Sequence, residues 1–177
     1  MEIPSDEFFL RHTPRQVAEV TLLLQAHNVD DGPMVSLLDL KGQGSAEGAT
    51  EIVLYTKDQP NLFAASVIAL SQLELSVFDA NIHTSADGLC LNTYVVLDEN
   101  GLPLPRDPDR RARLVTHLAT RLKNPENVSQ GARRQLRRQL RQFTRPTDVK
   151  LSTAFGSKHS ELTIIASDRP GLLATIG

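Results

Sequence analysis

Residues 50–67, TEIVLYTKDQPNLFAASV, align without a gap on residues 160–177, SELTIIASDRPGLLATIG. The pair shares Glu51/Glu161, Asp58/Asp168, Pro60/Pro170, Leu62/Leu172 and Ala64/Ala174, with apolar residues opposite apolar residues between them. Each copy is a β-rich apolar run, then Asp-x-Pro-x-Leu, then the start of a helical pattern. Self-similarity of this kind sets the architecture before any local assignment, because each copy is one supersecondary unit. The identities fall in the loop as well as in the apolar run, which separates a repeat from two ordinary strand–loop–helix starts. The first copy continues into a full module, whereas the second stops at Gly177, barely into its helix.

Working outward, residues 51–56 read as a strand from their β-branched and aromatic content. A helix follows Pro60, with Phe63, Val67, Leu70 and Leu73 at three- and four-residue spacing. Residues 76–84 alternate, with Phe78, Ala80 and Ile82 on one face and Val77, Asp79, Asn81 and His83 on the other. Asp87-Gly88 predicts a type I′ hairpin turn. The returning strand, 89–97, is expected to point Leu89, Leu91, Thr93, Val95 and Leu97 inward, and Asn100-Gly101 turns again. Asp107-Pro108 opens a second helix with a stripe of Leu114 or Val115, Leu118 and Leu122, and residues 149–155 read as a further strand. The order β-α-β-β-α-β over residues 50–155 is the split βαβ arrangement of ferredoxin-like folds. The expected fold class is therefore α+β, a four-stranded antiparallel sheet with two helices on one face.

Upstream, Thr13-Pro14-Arg15-Gln16 starts a helix: threonine caps, proline suits the first helical position, and glutamine closes a capping box. Val17, Val20, Leu23 and Leu24 share a face of it, yet alone it has little to pack on. Residues 1–30 are thus expected to be the remnant of something larger, and 31–49, an apolar run followed by KGQGSAEG, a linker. Residues 50–155 form the first module, with 131–148 as a basic inter-strand segment, and 156–177 begin a second.

Apolar content of 40% and charged content of 23% are ordinary for a soluble protein, and no run approaches the ~18 apolar residues of a membrane span. The acidic N-terminus lacks the basic-then-apolar order of a signal peptide. The one cysteine, Cys90, permits no internal disulfide, so a reducing cytoplasm is the expected home and a small packed side chain its expected role. The net charge of −2 hides an asymmetry: residues 131–150 carry +6 and the remainder −8. GARRQLRRQLRQF sets Leu136, Leu140 and Phe143 on one helical face among arginines. It reads as a solvated inter-domain helix or linker, or as a docking patch for an acidic surface or nucleotide phosphates.

A βαββαβ unit with Asp-x-Pro-x-Leu after its first strand resembles the ACT domain, a small amino-acid-binding regulatory module. FFLRHTPRQVAEVTLLL, TEIVLYTKDQPNLFAA, LSVFDANIHTSADGLCLNTYVVLDENG and ELTIIASDRPGLLA together resemble the C-terminal region of the bifunctional PII uridylyltransferase/uridylyl-removing enzymes. The phrase around VFDANIHTSADG is the specific part, since D-x-P-x-L alone marks only some ACT protein. The resemblance implies a last helix of a hydrolase region, one whole ACT module and the start of another. It also implies a glutamine sensor for an enzyme that attaches UMP from UTP to PII and removes it again, with UTP and Mg2+ used in domains not in this chain.

An amino acid presents a carboxylate that suits the unpaired amides of a helix N-terminus. Here that terminus is the loop Asp58, Gln59, Pro60, Asn61, Leu62 and Phe63. ACT modules usually pair side by side, so the loop is expected to face Asp79, Ala80, Asn81 and Ile82 of a neighbour in a homo-oligomer. Asp79 or Asp58 would take the ammonium, and Asn81 would read a glutamine amide as donor and acceptor. The second copy's loop is Asp168, Arg169, Pro170, Gly171 and Leu172. Asn61 stands where many ACT loops have glycine, and Asp58 also reads simply as a helix-start residue favoured by the dipole.

No catalytic or metal residue is assigned. Asp107-Pro108-Asp109 has the look of magnesium-holding carboxylates, but its proline fits capping better, and Gly44-Ser45 lies too far away in a linker. His12, His27, His83, His117 and His159 show no metal-ligand spacing. A generic ACT module for another small molecule, or one that only pairs, are the alternatives. RNA recognition by the shared βαββαβ order is the remote rival. It needs stacking aromatics on the central strands, which offer only Phe78, expected to be buried, and Tyr94.

Overall fold

The computed structural model describes Leu10 and residues 12–42, 48–127, 146–153 and 160–166. Its elements in chain order are α1 (Pro14–Ala26), β1 (Met34–Leu40), β2 (Ala49–Lys57), α2 (Leu62–Gln72), β3 (Ser76–Thr84), β4 (Leu89–Leu97), α3 (Pro108–Leu122), β5 (Asp148–Thr153) and β6 (Ser160–Ile165). Strands β1 to β4 form one antiparallel sheet in the order β1-β2-β4-β3, while β5 and β6 pair with each other. This α+β arrangement is consistent with the ferredoxin-like ACT module that the sequence resembles.

Two expectations about the packing of whole elements change. The edge beside β2, which a βαββαβ chain fills with its last strand, is taken by Met34–Leu40 from the expected linker, and not by the strand near 149–155. The reason lies in the two faces of each strand. β1 is apolar on both, with Val35 and Leu37 toward the α2–α3 layer and Met34 and Leu38 toward α1. β5 alternates Val149 and Leu151 with Asp148, Lys150 and Ser152, so one of its faces could not be buried at that edge. The short link from β1 to β2 also makes closure cheap.

The second change concerns α1, which has a partner after all. Val20 and Leu24 are buried against Leu38, Val53, Tyr55 and Leu91, on the sheet face opposite α2 and α3. The sheet is therefore covered on two sides, and alternation stops being diagnostic for its central strands. In β2 every residue from Thr50 to Thr56 is buried. In β4 the α2–α3 layer receives Cys90, Tyr94 and Val96, not the Leu89–Leu97 parity expected to point inward; Leu89 and Leu91 face α1 instead. The helical stripes hold, since Val67, Leu70, Leu118 and Leu122 are buried and Phe63, Leu73, Leu114 and Val115 pack against them.

Local signals are mostly as read. The Thr13–Gln16 capping box is present, and Gln16 also donates to the Asp39 carbonyl of β1 at 3.3 Å. Asp107 caps α3 by accepting from the amides of Asp109 and Arg110. The Asp87-Gly88 hairpin is not type I′, because only Gly88 has positive φ (74°), and Ser85 accepts from its amide at 3.0 Å. That geometry needs one left-handed residue, not two. Beneath α1 lies a pair no pattern announced: Glu51, buried on β2, is hydrogen-bonded to Nε2 of buried His12. On the other face, Arg111 of α3 reaches Asp39 at 2.5 Å and donates to the carbonyls of Leu104 and Pro105 at 3.0 Å, pinning β1 to the helix layer.

Candidate functional site

The loop of Asp58, Gln59, Pro60, Asn61, Leu62 and Phe63 joins β2 to α2 and is held at both ends. The Asp58 amide donates to the Gly88 carbonyl at 2.8 Å, tying the loop to the β3–β4 hairpin. The Leu62 amide closes a turn onto the Gln59 carbonyl at 3.2 Å. Asn61 is left-handed (φ 64°, ψ 11°) at the N-cap of α2, and its side chain makes no capping bond. Asparagine is among the few non-glycine residues that adopt this conformation readily. Its repeat counterpart, Gly171, and the rest of the loop from Asp168 to Leu172 lie outside the described residues.

These six residues divide by burial. Leu62 is inside the core, and Phe63 is half-buried with its ring stacked on Tyr94 at 6.4 Å, so both anchor the turn. Asp58, Pro60 and Asn61 are exposed and Gln59 half-exposed, around a helix start whose first-turn amides and dipole favour an anion.

Under the anchored turn runs a buried polar chain that sequence reading missed. Ser66 donates to the Leu62 carbonyl at 2.8 Å, the Cys90 thiol to Asn92 Oδ1 at 2.9 Å, and Asn92 Nδ2 to the Tyr94 hydroxyl at 3.3 Å. Burial pushes the Tyr94 phenol up to about 12 and raises the Cys90 thiol as well. Both stay neutral near pH 7, which makes the chain a support for α2 and Cys90 a packed residue. The signal was the Cys-x-Asn-x-Tyr alternation on β4, hidden because the opposite parity looked more apolar.

Asp79, Ala80, Asn81 and Ile82 lie on β3, the edge opposite β1. Ala80, across from Tyr94, packs on the core, while Asp79 and Asn81 stand opposite Val95 and Thr93, on the other face. Within one chain the stretch runs away from the loop: Lys57 pairs with Leu89, Ile82 with Asn92 and Asp79 with Val95, six residues further along β4 than Leu89, or roughly 20 Å at strand rise. Among the described residues no strand lies beyond this edge, which carries apolar side chains: Phe78, expected to be buried, is 70% exposed at a bulge between Val77 and Asp79, and Ile82 is 47% exposed. Tyr94 is buried among the helices, so Phe78 stands without a second open aromatic on those strands and the RNA-stacking platform is not assembled. The arginine-rich segment falls outside the described residues up to position 145. Among the described residues no His, Cys, Asp and Glu side chains cluster as metal ligands, and no helix is long and apolar enough to cross a membrane.

Over 172 residues, 97% of its length, the chain is 38% identical to the bifunctional uridylyltransferase/uridylyl-removing enzyme of Stutzerimonas stutzeri. The enzymes of the same name from Pseudomonas aeruginosa and Azotobacter vinelandii are 40% and 38% identical over the same length. The chain is homologous to one segment of these enzymes. It spans 19% of the length of the curated relatives it matches. No protein-family model and no solved structure matches it.

Proposed function

We propose that this chain is a regulatory region of a bifunctional uridylyltransferase/uridylyl-removing enzyme, in which an ACT module senses glutamine and sets the balance between attaching UMP to the PII protein and removing it. The observation that carries this reading is the 38–40% identity sustained over 97% of the chain. UTP and Mg2+ would serve catalytic parts of the enzyme beyond this segment.

In this reading the ligand carboxylate rests on the first-turn amides of α2 beside left-handed Asn61. The ammonium goes to Asp58 or to Asp79 of a paired module, and Asn81 reads the side-chain amide. The distance between the loop and the Asp79 stretch within one chain favours assembly in trans, and the open apolar edge of β3 offers the means, by sheet extension. That same edge favours one other reading, a module that pairs and binds nothing.

Thermal unfolding with and without ligand separates them. Glutamine at ~100 times its Kd is expected to raise the midpoint by roughly 5–10 °C, with glutamate inert. Asp58→Ala is expected to abolish the shift without changing the unliganded midpoint much. A chain that pairs but is indifferent to glutamine supports the pairing module and ends the sensor reading.

A further inference from the structure

The buried polar row under α2 has a direction, and the direction gives it a role. Cys90, Asn92, Tyr94 and Ser66 are each at most 2% exposed. The row starts at the end of β3, where Thr84 Oγ1 lies 3.8 Å from the Cys90 sulfur. It ends at the Leu62 carbonyl in the first turn of α2, which accepts from Ser66 at 2.8 Å. Between them, Ser66 also meets the Tyr94 phenol through a side-chain hydrogen bond. Among the described residues, no buried side-chain nitrogen or oxygen is left without a partner.

The carbonyl end sets which way the protons run. A carbonyl only accepts, so the Ser66 hydroxyl donates there, and toward Tyr94 its oxygen is left to accept. The Tyr94 hydroxyl then donates to Ser66 and accepts from Asn92 Nδ2 at 3.3 Å. That turns Asn92 Oδ1 toward Cys90, whose thiol donates to it at 2.9 Å. Asn92 is the hinge of the row: its amide carries a donor at one corner and an acceptor at the other, so it joins a thiol to a phenol two residues away on either side. Every proton points from the β3–β4 hairpin toward α2. Hydrogen bonds in series in a dry interior reinforce one another.

The last acceptor belongs to the peptide unit whose N–H is that of Phe63. In the first turn of α2 the Leu62 amide bonds the Gln59 carbonyl at 3.2 Å and the Ala65 amide the Asn61 carbonyl at 2.8 Å. The Phe63 and Ala64 amides have no acceptor within the helix. At its other end the row reaches the hairpin that the loop already grips, through the Asp58 amide on the Gly88 carbonyl. Loop and hairpin are thus tied twice, once along the surface and once through the interior. We infer that Asn92 is a positioning residue for the loop: acting through Tyr94 and Ser66, it orients and polarises the Leu62–Phe63 peptide. This role rests on the reading proposed above, in which that N–H meets the ligand carboxylate.

Amide proton shifts of the ligand-free 177-residue chain, followed by calorimetric titration with glutamine, test this. Tyr94→Phe removes the hydroxyl and keeps the ring on Phe63, while Asn92→Leu removes both corners of the amide. Each is expected to move the Phe63 amide proton upfield, to leave that of Val17 on α1 unmoved, and to weaken glutamine binding by about three- to tenfold. In the double variant both readouts are expected to match the larger single effect, because a row already broken cannot be broken again. Side chains that only fill space would instead give additive effects, and additivity would overturn the inference. So would a Phe63 amide that neither substitution moves, or unchanged affinity in both variants of a parent that binds. If Asn92→Leu does not fold, the shift and the affinity of Tyr94→Phe decide by the same criteria. A parent that binds no glutamine ends the sensor reading, and the amide shifts then judge Asn92 by themselves.

Discussion

His12 and Glu51 lie 39 residues apart and meet under α1, each almost wholly buried. A carboxylate in that position is tolerated only while its hydrogen bonds are made. His12→Ala is therefore expected to cost about 3 kcal/mol in urea unfolding, well above a surface substitution. Glu161, at the repeat-equivalent position, is exposed, so Glu161→Ala should fall within about 0.5 kcal/mol of the parent. The same residue type thus carries different weight in the two copies, and nothing within either copy says so. Asn61 shows the reverse: its left-handed backbone is legible from the glycine in the second copy and from the chemistry of asparagine.

At the scale of elements, the clasp between β1 and α3 fastens the strand that closes the sheet. The hydrogen bond from Arg111 chiefly holds the Asp39 carboxyl below its ordinary value, with the charges of Arg111 and Arg106 adding to it against partial burial. Arg106 itself is largely exposed and contributes little. Asp39→Asn is expected to cost about 1–2 kcal/mol at pH 7. A carboxyl whose folded value is depressed stabilises the fold at pH above its unfolded value, near 3.9, and loses that contribution as pH falls through the folded value. The gap between the parent and Asp39→Asn should hold from pH 7 to about 5 and close toward pH 2. Urea midpoints across that range check it, and a gap that widened in acid would remove Asp39 from the clasp.

At the scale of the whole molecule, the sheet has one edge clasped and one open. β1 is pinned to α3, whereas β3 carries exposed Phe78 and Ile82 and, among the described residues, has no second strand beside it. An open apolar edge is a template for another strand. The trans site under Proposed function requires that edge to be used, so sedimentation velocity is expected to give a dimer for the parent and predominantly monomer for Phe78→Lys. A strictly monomeric parent would leave the loop without its facing strand.

The sequence by itself determined the local pieces. Thr13, Pro14 and Gln16 start α1, Asp107 caps α3, the apolar stripes of α2 and α3 face the sheet, and the Asp58–Asn61 corner opens α2. These follow from interactions within a few residues, where side-chain spacing and backbone preference act directly. Only the tertiary structure decided which strand takes the sheet edge, which parity of β4 meets the helices, and what α1 covers. Each of these is a choice between faces or partners that look equally apolar in the sequence. A strand buried on both sides carries no alternation to read, and a buried pair such as His12 with Glu51 exists only once two distant segments have met.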